Sequence, residues 1–200
     1  MADAPGVNTP AHVVLNLLVI GRGRGQPWVP ILAGALIPDL PILVMYAVER
    51  GLLGTAETLI WQDRYFASGW QLFIDAFNSL PLIALGWLLA YWHGSRFLQP
   101  LFLSMGLHAG ADFLVHNEDA HRHFLPITGW RFSSPVSYWD PRHFGQVFLG
   151  AEMLLIVLSS GHFIRRGQDR AVRFLGSGIL AATALFIAFA LVFWRRLGEG

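Results

Sequence analysis

Hydrophobic residues fall into six stretches, 11–20, 28–48, 69–92, 97–115, 147–164 and 174–194, with polar connectors between them. The last carries no charge and reaches the roughly 20 helical residues that cross a bilayer core of about 30 Å. Stretches three to six read as spanning helices. The first is short and opens with Thr9-Pro10, a helix start with proline in the first turn. The second is interrupted by Pro38-Asp39-Leu40-Pro41, where two residues without an N–H disturb the helical ladder. These two predict shorter, tilted or partly re-entrant helices. The expected fold class is all-α: one domain over residues 1–200, a polytopic helical membrane bundle with about four to six transmembrane helices. The connector 117–146 contains Trp130, Phe132, Tyr138 and Trp139. It is too apolar for a disordered linker and predicts a structured polar cap loop over one membrane face.

Composition sharpens this picture. Only 14% of residues are charged, 54% are hydrophobic and the mean hydropathy is +0.47, whereas a soluble domain carries about 25% charged residues. Cysteine is absent, which excludes disulfides, thiolate metal sites and cysteine nucleophiles. All 14 basic residues are arginine, so Schiff-base chemistry on lysine is excluded as well. A net charge of +1 gives no footing for nucleic acid. The short connectors 21–25, 93–96 and 165–170 are arginine-rich and, in alternating helices, share one side. The positive-inside tendency makes that side cytoplasmic and puts the loops 49–68 and 117–146 opposite. Arg195 and Arg196 run against the trend.

Four of the eight histidines and three of the 13 acids lie in residues 106–123. His108 and Asp112 are one helical turn apart and His116 continues the same face. Imidazole and carboxylate are the ordinary nitrogen and oxygen ligands of zinc and similar divalent ions. Buried without a metal or a partner, they would be costly. His12, Asp39, Asp75 and Asn78 belong to other stretches, yet alternation brings all of them toward the same membrane face. The expected metal ligands are His12, Asp39, His108, Asp112 and His116, with a divalent metal, zinc first, as cofactor. Glu118, Asp119, His121 and His123 are the expected acids, bases or additional ligands. Arg122 and Arg131 are placed to hold an anionic headgroup. Asp39 and Asp75 also have plainer readings, as a turn aspartate and an interfacial first-turn acid. His93 and His162 read as interfacial, Asp140 and His143 as a structured turn. Glu152 reads equally as a helix–helix hydrogen-bonding group or as a group aimed at the metal.

These motifs, in order, resemble the membrane-bound metal-dependent hydrolase family, the LexA-regulated inner-membrane hydrolase-like proteins, and more distantly zinc-dependent phospholipase C. The resemblance rests on Thr9-Pro10-Ala11-His12, on Gly34-Ala35-Leu36-Ile37-Pro38-Asp39, on Ala76-Phe77-Asn78-Ser79-Leu80 and on His108 with Asp112. It covers residues 9–143; beyond Val147 the chain matches only as hydrophobic helix. It implies a bacterial inner-membrane location and hydrolysis of a phosphoester or lipid-linked substrate. Asn78 stands where the family carries a histidine, and no second acid follows Pro38-Asp39.

Three functions remain open on the sequence. The first is a membrane hydrolase working at the bilayer surface, with its site on the non-cytoplasmic side. The second is a non-catalytic membrane subunit that keeps the fold for assembly or for binding a protein partner or a second copy. The third, a metal or proton transporter, is disfavoured because the ligands cluster near one face and do not run through the membrane.

Overall fold

The computed structural model describes residues 9–21, 27–138, 140–167 and 169–198, and the side chains of the last helix through Leu185 and at Ala188. Among the described residues every regular element is helical: α1 (Thr9–Val19), α2 (Trp28–Leu36), α3 (Leu40–Tyr46), α4 (Glu57–Gln62), α5 (Ser68–Phe77), α6 (Leu80–Trp92), α7 (Leu98–Val115), α8 (Gly145–Arg166) and α9 (Arg170–Gly198).

Among the described residues, three stretches are long and apolar enough to cross a membrane: Trp28–Leu52, Ser68–Trp92 and Gly145–Arg166. That is fewer than the four to six expected. The physical reasons are local. α1 has 11 residues. α7 reaches 18 residues, but Gln99, Ser104, His108 and Asp112 dilute its hydropathy. The stretch 174–194 lies inside α9, with many of its side chains outside the described residues. In the three long stretches only 28–33% of the apolar window is buried. Leucines and aromatics such as Leu85, Leu88, Trp92 and Leu158 point outward, the arrangement an apolar solvent favours.

Proline shapes two of these rods. Pro38 and Pro41 cannot donate to the carbonyls one turn earlier, and the chain tightens into a 3₁₀ turn at Ile37–Asp39, where Leu40 N–H takes the Ile37 carbonyl. The rod therefore continues through Pro-Asp-Leu-Pro instead of breaking, and closes in a π-helical turn at Ala47–Leu52. Residues 69–92, by contrast, are split. α5 ends at Phe77, and Ser79 caps α6 by accepting from Leu82 N–H with Pro81 in the first turn. The loop expected over 49–68 also holds α4 and a 3₁₀ turn at Arg64–Phe66.

α7 packs between α2 and α6, with α1 laid against α2, α7 and α8, and α9 against α8. Hydrogen bonds fix the register of α1, α2 and α7. Buried Asn16 donates from Nδ2 to the Ser104 carbonyl (2.9 Å) and hydroxyl (2.8 Å). The Ser104 hydroxyl donates to the Ile31 carbonyl at 2.6 Å. His12, Ala35 and His108 lie one turn along from Asn16, Ile31 and Ser104, so this polar layer delivers the next one in register.

The connector 116–144 is folded over the helix ends. Ser134 N–H takes the His116 carbonyl at 2.9 Å, Tyr138 N–H the Val115 carbonyl at 3.0 Å, and Leu80 N–H the His123 carbonyl at 2.8 Å. Phe113 of α7 stacks on Phe132 with centroids 4.8 Å apart and meets Phe124 and Trp130 edge-on or tilted. Aromatic ring contacts thus anchor the cap; Trp139 lies outside the described residues.

Candidate metal centre

α1, the α2–α3 kink and α7 bring four of the expected ligands together. His12 Nε2 lies 2.9 Å from Asp112 Oδ1, and His108 Nε2 lies 3.1 Å from Asp112 Oδ2 and 3.4 Å from Asp39 Oδ1. The His12 and His108 rings stack at 3.8 Å. Thr9 Oγ1 donates to Asp39 Oδ2 at 2.6 Å and fixes that carboxylate.

The tautomer of His108 follows from its partner. His108 Nδ1 sits 2.9 Å from the Ala35 carbonyl, and a carbonyl only accepts, so Nδ1 carries the hydrogen. In the neutral ring Nε2 is then a bare lone pair, fully buried and facing two carboxylates. Lone pair against anion is repulsive, so this pocket calls for a positive charge at Nε2, either a proton or a metal ion. An outer acceptor on one ring nitrogen with the other aimed inward is the usual dress of a metal-bound histidine.

The same pattern recurs at the cap. His116 Nδ1 is 2.9 Å from Asp119 Oδ2 and its Nε2 is 3.7 Å from Asp112 Oδ1. His121 Nδ1 is 3.3 Å from Asp75 Oδ1. His123 Nδ1 donates to the Asn78 carbonyl at 3.0 Å, and its Nε2 is buried without a hydrogen-bonding partner. Asp75 is not an interfacial first-turn acid: it is completely buried in the last turn of α5 and takes Arg122 Nε at 2.5 Å as well as His121.

Arg122 and Arg131 converge on this carboxylate. Arg131 Nη2 donates to Gln71 Oε1 at 2.9 Å and lies 3.7 Å from Asp75. Arg122 Nη2 is buried with no acceptor in reach. Glu118 is displaced from the centre: its side chain is exposed and pairs with Arg142 at 3.4 Å. Asn78 donates from Nδ2 to the Pro38 and Ile74 carbonyls, each at 3.3 Å. It is a tie between the proline kink and the end of α5, and its side chain does not join the metal-ligand grouping. Asp140 caps the 3₁₀ turn at Pro141–His143 and holds Arg142 and His143. His93 and His162 are exposed, away from the cluster.

Electrostatics at the cap follow from burial and neighbours. Burial disfavours the His116 cation, but the carboxylates of Asp112 and Asp119 outweigh it and raise the imidazole to about 10. Positive charge is demanded there, as a proton or as a metal ion. Burial opposes ionisation of Asp119, yet His116 holds its carboxyl below the ordinary value. Burial, then the charge of His121, push His123 down to about 4.

A cavity of about 120 Å³ opens beside the cluster. His12, Asp39, Asp112, His116 and His121 supply its polar wall, Leu15, Ile42, Val115, Phe148 and Leu155 an apolar one, and Glu152 also reaches it. Such a lining suits an amphiphile.

Sequence reasoning found the His108–Asp112 turn but missed Asn16, Ser104 and the Ala35 carbonyl. Asn16 was legible as a lone amide inside an apolar stretch; a backbone acceptor leaves no trace in a sequence. The chain matches no family model, no curated protein and no solved structure.

Proposed function

We propose that this chain is an integral membrane metal-dependent hydrolase of the kind its motifs resemble, a bundle of four to six spanning helices with the cap on the non-cytoplasmic face. The proposed substrate is a phosphoester or other lipid-linked group at the bilayer surface. One observation carries the reading: His108 is locked by Ala35 with its Nε2 facing the carboxylates of Asp39 and Asp112. Nitrogen and carboxylate donors in that arrangement suit zinc. Bound zinc would supply Lewis acidity and lower the pKa of a coordinated water toward ~7.

The rest falls to the chain. His12, Asp39, His108 and Asp112 would hold the ion. Thr9 and Ala35 orient Asp39 and His108 before anything binds. The apolar wall takes the lipid portion of a substrate and keeps bulk water out. The buried, uncommitted Nη2 of Arg122 gives an anionic group a charge-assisted donor. Of the four expected proton carriers, His121 lines the cavity, whereas Glu118, Asp119 and His123 do not.

The test is metal content and turnover on one preparation. Purified protein should carry zinc and cleave a member of a phosphodiester and phospholipid panel. Asp112→Ala should lose metal and turnover together. A wild-type protein that hydrolyses its substrate undiminished after complete metal removal would overturn the reading. A second reading, a non-catalytic subunit, draws on Asn78, which occupies the family's histidine position and serves as a backbone tie. Bound metal with no turnover across the panel would decide for it.

A further inference from the structure

Asp112 has more potential partners than one ion uses. On one side are His12 and His108. On the other, Asp112, His116 and His121 form a second grouping whose ligand atoms all lie within 4.8 Å of one another, and all three residues belong to the centre's interior. Tetrahedral bonds of ~2.0–2.1 Å set ligand atoms ~3.4 Å apart, so a modest contraction of this grouping would enclose an ion.

The outer partners point the same way. His116 and His121 each have Nδ1 against a carboxylate, Asp119 at 2.9 Å and Asp75 at 3.3 Å. Carboxylate–histidine pairs of this kind fix the ring and raise the basicity of the nitrogen facing the metal. Asp75 is itself held by Arg122, which leaves it a firm acceptor inside the protein. Both rings and Asp112 border the cavity, so positions not filled by protein open toward a ligand. Nothing in the family motifs accounts for these two histidines.

We infer that Asp112 bridges two divalent-cation sites, the second held by His116 and His121 with Asp119 and Asp75 as their outer partners. This rests on the first site proposed above and extends it from one ion to a pair. Two ions clamping one anionic oxygen ligand is the arrangement suited to phosphoester substrates. His121 is then a ligand, not a proton carrier.

The full chain in detergent micelles, stripped with chelator and titrated with Mn²⁺, tests it. Two equivalents should bind, and the loaded protein should give an exchange-coupled electron paramagnetic resonance spectrum, the signature of two ions sharing a carboxylate. His121→Ala and the milder His121→Gln should each bind one equivalent and show only the uncoupled signal. His108→Ala should also abolish the coupling. One equivalent in wild type, unchanged by either His121 substitution, overturns the second site and leaves the first standing. Two equivalents without coupling overturn the bridge. No binding at all overturns both this inference and the function on which it rests.

Discussion

Gly34 offers a way to disturb the centre without touching a ligand. It lies where α2 crosses α7, and a Cβ added there would meet the Leu101 carbonyl oxygen at 2.2 Å and the Ser104 Cβ at 2.7 Å. Both obstacles are backbone or bonded directly to it, so no flexible side-chain end can yield. Ordinary contact begins at 3.4 Å, and the helices must part by about 1.2 Å, the difference from 2.2 Å. Ala35, the next residue, supplies the carbonyl 2.9 Å from His108 Nδ1. If half the displacement falls along that bond, it lengthens to about 3.5 Å, where little hydrogen bonding remains. Gly34→Ala should therefore cost about 1–3 kcal/mol by overpacking, offset by up to ~1 kcal/mol of helix propensity. Loss of the outer partner of His108 should weaken metal binding about 10–100-fold. Denaturant unfolding in mixed micelles and competition metal titration measure the two effects. Gly110→Ala, on α7 with nothing within 4 Å of an added Cβ, is the control and should keep wild-type affinity. Undiminished affinity in Gly34→Ala would refute the claim that the α2–α7 approach sets the His108 geometry.

Three further outcomes are expected. Asn78→Ala removes two hydrogen bonds to backbone carbonyls and should destabilise the protein by about 1–3 kcal/mol with metal stoichiometry unchanged; a lost equivalent of metal would make Asn78 a ligand after all. Asp140 is held below the ordinary carboxylate range chiefly by its hydrogen bonds to Arg142, with His143 adding to them. A depressed folded-state pKa gives stability that is present above the unfolded value of ~3.9 and is lost as pH falls through the folded one. Wild type should accordingly melt higher than Asp140→Asn at pH 7, with the gap narrowing below pH ~4; a gap that is the same at both pH values would show that the charge is not the cause. Reporter fusions within residues 117–146 should report the non-cytoplasmic side, the orientation expected from the arginine-rich short connectors; a cytoplasmic signal would invert the orientation.

What the sequence revealed depended on distance along the chain. His108 and Asp112 are one turn apart, so helical geometry alone put them on one face. His12 and Asp39 were reachable from the expected alternation of the apolar stretches, which sends both toward the same end of the bundle as Asp112. Alternation brought Asp75 toward the cluster but could not name its partners: His121 and Arg122 are more than 40 positions away and come to it through the folded cap. The polar layer of Asn16, Ser104 and the Ile31 carbonyl was hidden for the same reason. Pro38 and Pro41 signalled an interruption, but whether a helix breaks or tightens there depends on what donates to the carbonyls left without an N–H. Here Asn78 Nδ2 donates to one carbonyl of the kink, that of Pro38.

On the function proposed above, a metal ion belongs between His108 Nε2 and the carboxylates of Asp39 and Asp112. Anomalous diffraction from crystals of the zinc-loaded protein, recorded on both sides of the zinc edge, addresses it directly. A peak is expected ~2.0–2.2 Å from His108 Nε2 and from an oxygen of Asp112. Full occupancy of zinc elsewhere in the molecule, with His108 hydrogen-bonded directly to Asp112 and no peak between them, would contradict it.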